Sequence, residues 1–226
     1  THKVERRYRA NKLNKDQILK KLWDYRELCL KHVYSEPDSD IHQMVMNHII
    51  PKIVEEHNIS MCESKLDVGC GQGYGMEKFT ELGCENISGI TLSKKDAKVA
   101  RKRGFKVKED DMSFQSSSNE EHDFMFVRHC LEHSPYPLLT LLEFYRVLQP
   151  GGKIYIEMPS PRCTRPLEEY DNHYAIMGPR QWVALFKRAG FKVLDIAEMT
   201  FDINDKESQT DLGQEIYEWY ILEKSG

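Results

Sequence analysis

The chain has 226 residues, 40% of them hydrophobic and 30% charged, with a formal net charge of -4. That size fits one large domain, or one domain with a helical extension, and excludes two full-sized domains. No apolar run approaches the roughly 18 residues of a membrane-spanning helix, and the acidic balance argues against a nucleic-acid partner.

The N-terminal 60 residues read as helical. Asp16 is placed to cap a segment running to about Val33, with Ile18, Leu19, Leu22, Trp23, Tyr25, Leu28 and Cys29 giving a broad apolar stripe. "SEPDSD" then makes a turn, and a second helix starts after Asp40, with Pro51 expected to kink or restart it. From Lys65 the texture becomes an alternation of short apolar strands, near 65–68, 87–90, 106–108, 123–127, 153–158, 192–197 and 215–223, with helices near 74–82, 93–103, 136–148 and 180–189. Repeated βα units imply an α/β, doubly wound, mostly parallel seven-stranded sheet. The last two strands are joined by an acidic loop without a helix, which predicts a C-terminal antiparallel hairpin. The expected organisation is a helical cap over 1–60 and a sheet domain over 61–226, with an insertion at 159–179.

Charge and cysteines add coarse expectations. Residues 1–21 hold eight Lys or Arg against two acids, and 195–226 hold nine acids against two Lys. The plain reading is two solvated ends; the other is a basic patch for an acidic partner. Residue 1 is Thr, and the basic start has no apolar core of a secretory signal. The six cysteines are scattered with no C-x-x-C pair, which suits a reducing, cytoplasmic setting.

"LDVGCGQGYG" follows the first strand of the sheet, so that Asp67 precedes Gly69, Gly71, Gly73 and Gly75. Strand, glycines, then helix is how a doubly wound sheet offers backbone N–H groups and a helix N-terminus to a ligand. The dinucleotide fingerprint fails, because Tyr74 stands where its third glycine belongs and no acid ends the second strand. A phosphate loop of the G-x-x-x-x-G-K type fails for want of the Lys.

The loop resembles motif I of the class I S-adenosylmethionine (SAM)-dependent methyltransferases, an acid, one residue, then G-x-G-x-G. The resemblance runs over about 60–198 in order: "GITLS" at 89–93, "EDDM" at 109–112, "HDFMFV", "RHCLEH", "LQPGG" and "FKRAGFKVLDI". It implies SAM as cofactor, with Asp67, Gly69, Cys70, Gly71 and Gly73 beside its methionine part. Thr91 and Leu92 would end the second strand near the ribose, where most members carry an acid instead of Thr91. Asp96 would reach the ribose hydroxyls, as a polar residue does in the similar I-T-L-S sub-group. Asp111 would accept from the adenine amino group and Met112 would cover the ring, with Asp110 as the register alternative. Arg128 would touch the methionine part.

"RHCLEHS" carries the spacing H-x-x-E-H, the inverted zinc-peptidase signature, which needs a helix to bring two imidazoles to one metal. Here it follows a strand and resembles the "LEH" element of the methyltransferases, so the peptidase reading falls away. The resemblance sets Glu132 and His133 toward the acceptor. In members similar to quinone-biosynthesis O-methyltransferases, the positions aligned with His129, Glu132 and His133 hold a divalent metal; the first is an acid there, so no metal is assigned here. His173, in the 159–179 insertion with Tyr170 and Tyr174, is a further candidate base or positioning group, against a buried structural histidine.

The function so implied is methyl transfer to an oxygen or nitrogen of a small-molecule acceptor. His133, His129, His173 and Glu132 are the candidate catalytic groups. The alternatives are an RNA or protein methyltransferase working through the basic N-terminus, and a cofactor-binding homologue without turnover. Amino methylation of DNA bases fits poorly, since no acid or amide followed by Pro-Pro-aromatic comes after strand four.

Overall fold

The computed structural model describes residues 13–35, 39–164, 170–205 and 210–226, with backbone alone for Ile41, 203–205 and 210–212. The first part of the basic N-terminus, the middle of the "SEPDSD" turn, part of the 159–179 insertion and the tip of the acidic loop thus lie outside the described residues. The chain divides into two compact units at Val33/Tyr34.

The first unit holds α1 (Lys15–Leu30). Asn14, rather than the expected Asp16, caps it: its side chain accepts from Gln17 N, while Gln17 Oε1 accepts from Asn14 N, both at 2.9 Å. A Gln three residues after the cap closes this reciprocal pair, which Asp16 has no partner to match.

The second unit opens with α2 (Asp40–Glu56), capped by Ser39 and continuous through Pro51, not broken there. Val45, Ile49, Ile50 and Ile53 are buried on one face of it. They recur at helical spacing, and their burial against the sheet outweighs the backbone bond that the proline removes. This helix of the expected cap is therefore part of the same compact unit as the sheet.

There follow β1 (Lys65–Val68), α3 (Tyr74–Glu81), β2 (Ile87–Thr91), α4 (Lys94–Lys102), β3 (Lys106–Glu109), β4 (His122–Arg128), a 3₁₀ turn at Leu131–His133, α5 (Pro137–Val147), β5 (Leu148–Pro159), α6 (Pro179–Ala189), β6 (Phe191–Asp205) and β7 (Thr210–Lys224). The strands form one seven-stranded sheet in the order β3-β2-β1-β4-β5-β7-β6. Pairing is parallel from β3 to β5, and β7 is antiparallel to both its neighbours. The "LQPGG" turn appears as a register shift between His122 and Phe124, where β5 joins β4.

Strand side chains alternate between two cores, as the two-residue repeat requires. Phe124, Phe126, Tyr155, Trp219 and Ile221 pack with α2 and α3 residues such as Ile49, Ile53 and Phe79. Met125, Val127, Ile154, Ile156, Tyr220 and Leu222 face α5 and α6, where Phe144, Trp182 and Phe186 fill the layer. The strand order reverses between β1 and β4, so their carboxyl ends border the crevice where open α/β sheets bind ligands.

Candidate functional site

The loop after β1 is held to the sheet by Gly69 N and Cys70 N, which both donate to Ile90 O at 2.9 and 3.0 Å. Gly69, Gly71 and Gly73 all have positive φ, +74°, +49° and +90°. At Gly69 the requirement is also spatial: a Cβ there would stand 2.7 Å from Cys130 Sγ, in the segment that follows β4. The glycine therefore lets the loops of β1 and β4 approach each other across the crevice.

Asp67 is buried at the end of β1, and no hydrogen bond among the described residues reaches its carboxylate. Burial pushes it up to about 7, with Arg128 pulling the other way. Gly75 in α3 packs against it, since a Cβ there would meet Asp67 Oδ2 at 2.9 Å. Around this carboxylate lies an open cleft whose lining includes His42, Asp67, Gly71, Gln72, Arg128 and His129.

The elements expected around the rest of the cofactor converge on the same edge. Asp96 is buried, and its Oδ1 accepts from Gln72 Nε2 at 3.0 Å and from Ser35 Oγ at 2.6 Å. Thr91 is buried too, its hydroxyl accepting from Ser93 N at 3.2 Å; Leu92 is exposed beside it. Asp110 is committed to its own loop through Ser116 N and Oγ. Asp111 Oδ1 accepts from Ser113 N at 2.9 Å. Met112 Sδ lies 3.4 Å from Cys130 Sγ, which ties this loop to the one after β4.

Arg128 and His129 converge on Glu157 of β5, which is wholly buried. Arg128 Nε is 2.7 Å and His129 Nε2 is 3.2 Å from Glu157 Oε1, while Tyr155 donates its hydroxyl to Oε2 at 2.5 Å. Burial alone would raise Glu157, but Arg128, His129 and Tyr155 together outweigh it and hold the carboxylate at about 2. Burial, helped by Arg128, pushes His129 down to about 3, so its ring is neutral at pH 7. The His129 backbone is left-handed, with φ +46°; its N–H donates to Glu157 O at 2.9 Å, and its ring stands edge-on to Tyr217 at 4.3 Å. His129 and His133 are thus not one helical turn apart on a common helix, as the peptidase arrangement would need.

Glu132, His133 and His173 form a second group. Glu132 is buried, and its Oε1 lies 3.5 Å from His129 Nδ1, which joins the two groups. The 3₁₀ turn is fixed to the insertion after β5, because Tyr174 N and Ala175 N donate to Glu132 O at 2.9 and 3.0 Å. His133 Nδ1 meets Asn172 O at 2.9 Å. A carbonyl only accepts, so Nδ1 carries the proton and, in the neutral ring, Nε2 keeps its lone pair. The His133 and His173 rings are 5.0 Å apart, Tyr170 stacks on His173 at 4.6 Å, and Tyr34 stands edge-on to His133 at 6.0 Å.

Several neighbours were not singled out from the sequence: His42, Gln72, Ser35, Tyr155, Glu157 and Tyr217. Glu157 had a signal, a lone charge within the apolar run "IYIEMP". The others come from elements distant in sequence and carry no local mark.

The sequence profile described as "Methyltransferase domain" matches residues 46–196. Among curated proteins, the chain is 30% identical to an uncharacterized protein of Methanocaldococcus jannaschii over 155 residues, 62% of this chain and 70% of that one. It is 33% identical to the ubiquinone biosynthesis O-methyltransferase of Nitrosococcus oceani over 97 residues, 40% of this chain and 41% of the relative, well under two thirds of its length. Among solved structures, a SAM-dependent methyltransferase from Archaeoglobus fulgidus superposes with a TM-score of 0.62 at 18% identity, covering 79% of this chain and 94% of that one. A likeness at that identity speaks for the fold, while the profile match spans more than half of the chain. With motif I, the strand order and the profile in agreement, the chain belongs to the methyltransferase-domain family and is a class I SAM-dependent methyltransferase.

Proposed function

We propose that the chain binds SAM at the β1/β4 crevice and methylates an oxygen or nitrogen of a small-molecule acceptor held beside Glu132, His133 and His173. The observation that carries the first half is Asp67. A buried carboxylate that no described hydrogen bond reaches, raised to about 7 by burial, has an unmet demand for a cationic donor, and the ammonium of a methionine moiety meets it. Gly71 supports the same fit, because a Cβ there would have no neighbour within 4 Å and the backbone stays open to a ligand. Asp96, joined to the loop through Gln72, suits the ribose, and Asp111 with Met112 suits the adenine.

When bound, SAM supplies an electrophilic methyl on a sulfonium that is already a good leaving group. What remains for the protein is alignment and exclusion of water. Arg128 is held by Glu157 at the floor of the cleft and fixes the position of the strand end; His129, neutral and engaged by Glu157, serves the same positioning role. For a hydroxyl acceptor the proton goes to His133 Nε2 or to His173, whose rings adjoin the buried Glu132. An imidazole held down to about 3, as His129 is, accepts protons poorly at pH 7.

The acceptor class rests on support from relatives. An O-methyltransferase of ubiquinone biosynthesis is among the proteins this chain resembles, and the aromatic and histidine cluster around residues 133, 170 and 173 suits a compact acceptor. The test is incubation with methyl-labelled SAM and a fractionated cell extract, followed by mass identification of the product. Label in a small metabolite is expected. Label in RNA or protein, or cofactor binding without any product, would overturn the acceptor assignment.

A further inference from the structure

In the quinone-biosynthesis O-methyltransferases that this chain resembles, the positions aligned with His129, Glu132 and His133 hold a divalent metal; no metal is expected from the sequence here, because the first is His and not an acid, and the structure does not gather these three. His129 points its Nε2 at Glu157, 3.2 Å away, packs its ring on Tyr217, and has only 13% of its side chain exposed. The group that the fold does gather is Glu132, His133 and His173, whose ligand atoms all lie within 4.8 Å of one another.

We propose that Glu132, His133 and His173 form a binding site for a divalent cation of the zinc class, with His173 taking the place of His129. The donor set is two imidazoles and one carboxylate. Imidazole nitrogen suits zinc and its neighbours in the transition series, whereas magnesium prefers an all-oxygen set. Three protein ligands also leave a coordination position for water or an acceptor, as in catalytic zinc sites.

The surroundings are those of a supported ligand set. The contact between His133 Nδ1 and Asn172 O sets the proton on Nδ1, the usual outer-shell arrangement for a histidine that coordinates a metal through Nε2. The bonds from Tyr174 N and Ala175 N to Glu132 O hold the segment carrying His173 against the one carrying Glu132 and His133. Stacking on Tyr170 orients the third ring. Donors sharing one tetrahedral zinc at about 2.0–2.1 Å stand roughly 3.4 Å apart, so a group within 4.8 Å closes by up to roughly 1.4 Å on binding.

The purpose of such a cation rests on the acceptor-side reading above and replaces its proton acceptors: with His133 and His173 occupied as ligands, a Lewis acid there would lower the pKa of a hydroxyl acceptor so that its proton passes to solvent. Its existence does not, and the test therefore contains neither SAM nor acceptor. The full chain, freed of metal by chelator and dialysis, is titrated with Zn²⁺ by calorimetry and with Co²⁺ by visible absorption. One equivalent is expected, with the absorption of a low-symmetry nitrogen and oxygen site. His173→Ala should weaken Zn²⁺ binding about 100-fold or more, since loss of an outer-shell partner alone costs 10–100-fold; its SAM affinity should be unchanged, which shows the fold intact. His129→Asn should bind Zn²⁺ within a few-fold of the parent. Retention of full affinity in His173→Ala, loss of it only in His129→Asn, displacement by equimolar Mg²⁺, or no binding by the parent chain would each overturn the proposal.

Discussion

The role proposed for Asp67 couples cofactor affinity, protein stability and pH, and the three expected responses have fixed signs. Burial raises it from 3.8 to about 7, so the free protein holds a partly protonated carboxyl at neutral pH. A cationic ligand needs the ionised form, and binding must release a proton below about pH 7. SAM should therefore bind about tenfold more weakly at pH 6 and about a hundredfold more weakly at pH 5 than on its plateau, at 1.36 kcal/mol per pKa unit. On the alkaline side the ligand's own α-amino group, with an ordinary value of about 7.7–8.0, sets the limit. The dissociation constant should pass through a minimum between pH 7 and 8. Asp67→Asn should remove the acid limb and weaken binding at pH 7.5 by roughly 10- to 100-fold, the worth of a hydrogen bond to a charged group.

The same substitution should act oppositely on the free protein. A carboxyl raised in the fold loses stability as pH rises from about 4 to about 7, by up to about 4 kcal/mol for a shift of this size. Asp67→Asn removes that cost, so the free variant should withstand more urea than the parent at pH 8 and show no gain at pH 4. Calorimetric titrations from pH 5 to 8 and urea unfolding at pH 4 and 8 test both halves. A pH-independent affinity in the parent, or a variant less stable than the parent at pH 8, would refute the assignment of Asp67 as a buried, ligand-seeking carboxylate.

Two further predictions use the same neighbourhood. Glu157, held at about 2, contributes stability that is present above its ordinary 4.5 and lost as pH falls toward 2. Arg128→Met should destabilise the chain at pH 7 by about 3–5 kcal/mol, because it strands a buried charge. Adding Glu157→Gln should restore part of that loss, and urea unfolding of the single and double variants checks the order. Gly75→Ala should lower the melting temperature only modestly, since the helix propensity that alanine gains offsets part of the cost of its contact with buried Asp67. It should nevertheless weaken SAM binding tenfold or more, because the new Cβ presses on Asp67 Oδ2; unaltered affinity would mean the carboxylate position does not matter.

What was legible in the sequence follows from where the constraint lies. The acid and alternating glycines after β1 could be read because backbone geometry and close approach demand glycine at Gly69, whatever lies elsewhere in the chain. Buried strands such as Met125 to Val127 could be read because apolar residues must fill both faces of a central strand. The hairpin was read shorter than it is, 192–197 and 215–223 against Phe191–Asp205 and Thr210–Lys224. Beyond Pro159 strand β7 has no β5 partner in the sheet; its residues there are met instead by the irregular segment after β5, through Ser160 N to Ile216 O and Thr164 N to Gln214 O, contacts that no strand pattern marks.

His129 shows the opposite limit. In the sequence it is one of two equivalent histidines flanking Glu132, and spacing alone cannot separate them. The difference comes from elements that meet only in the fold. Glu157 of β5 and Tyr217 of β7 draw His129 into a buried, neutral position, whereas Asn172 and Tyr170 of the insertion contact His133 and His173, which lie close to Glu132. The desolvation that pushes His129 down to about 3 also removes it from proton transfer at neutral pH. In the proposed reading, the chemistry beside the acceptor, as proton acceptors or as metal ligands, falls to a residue pair that no local motif joins, His133 from the β4 loop and His173 from the insertion.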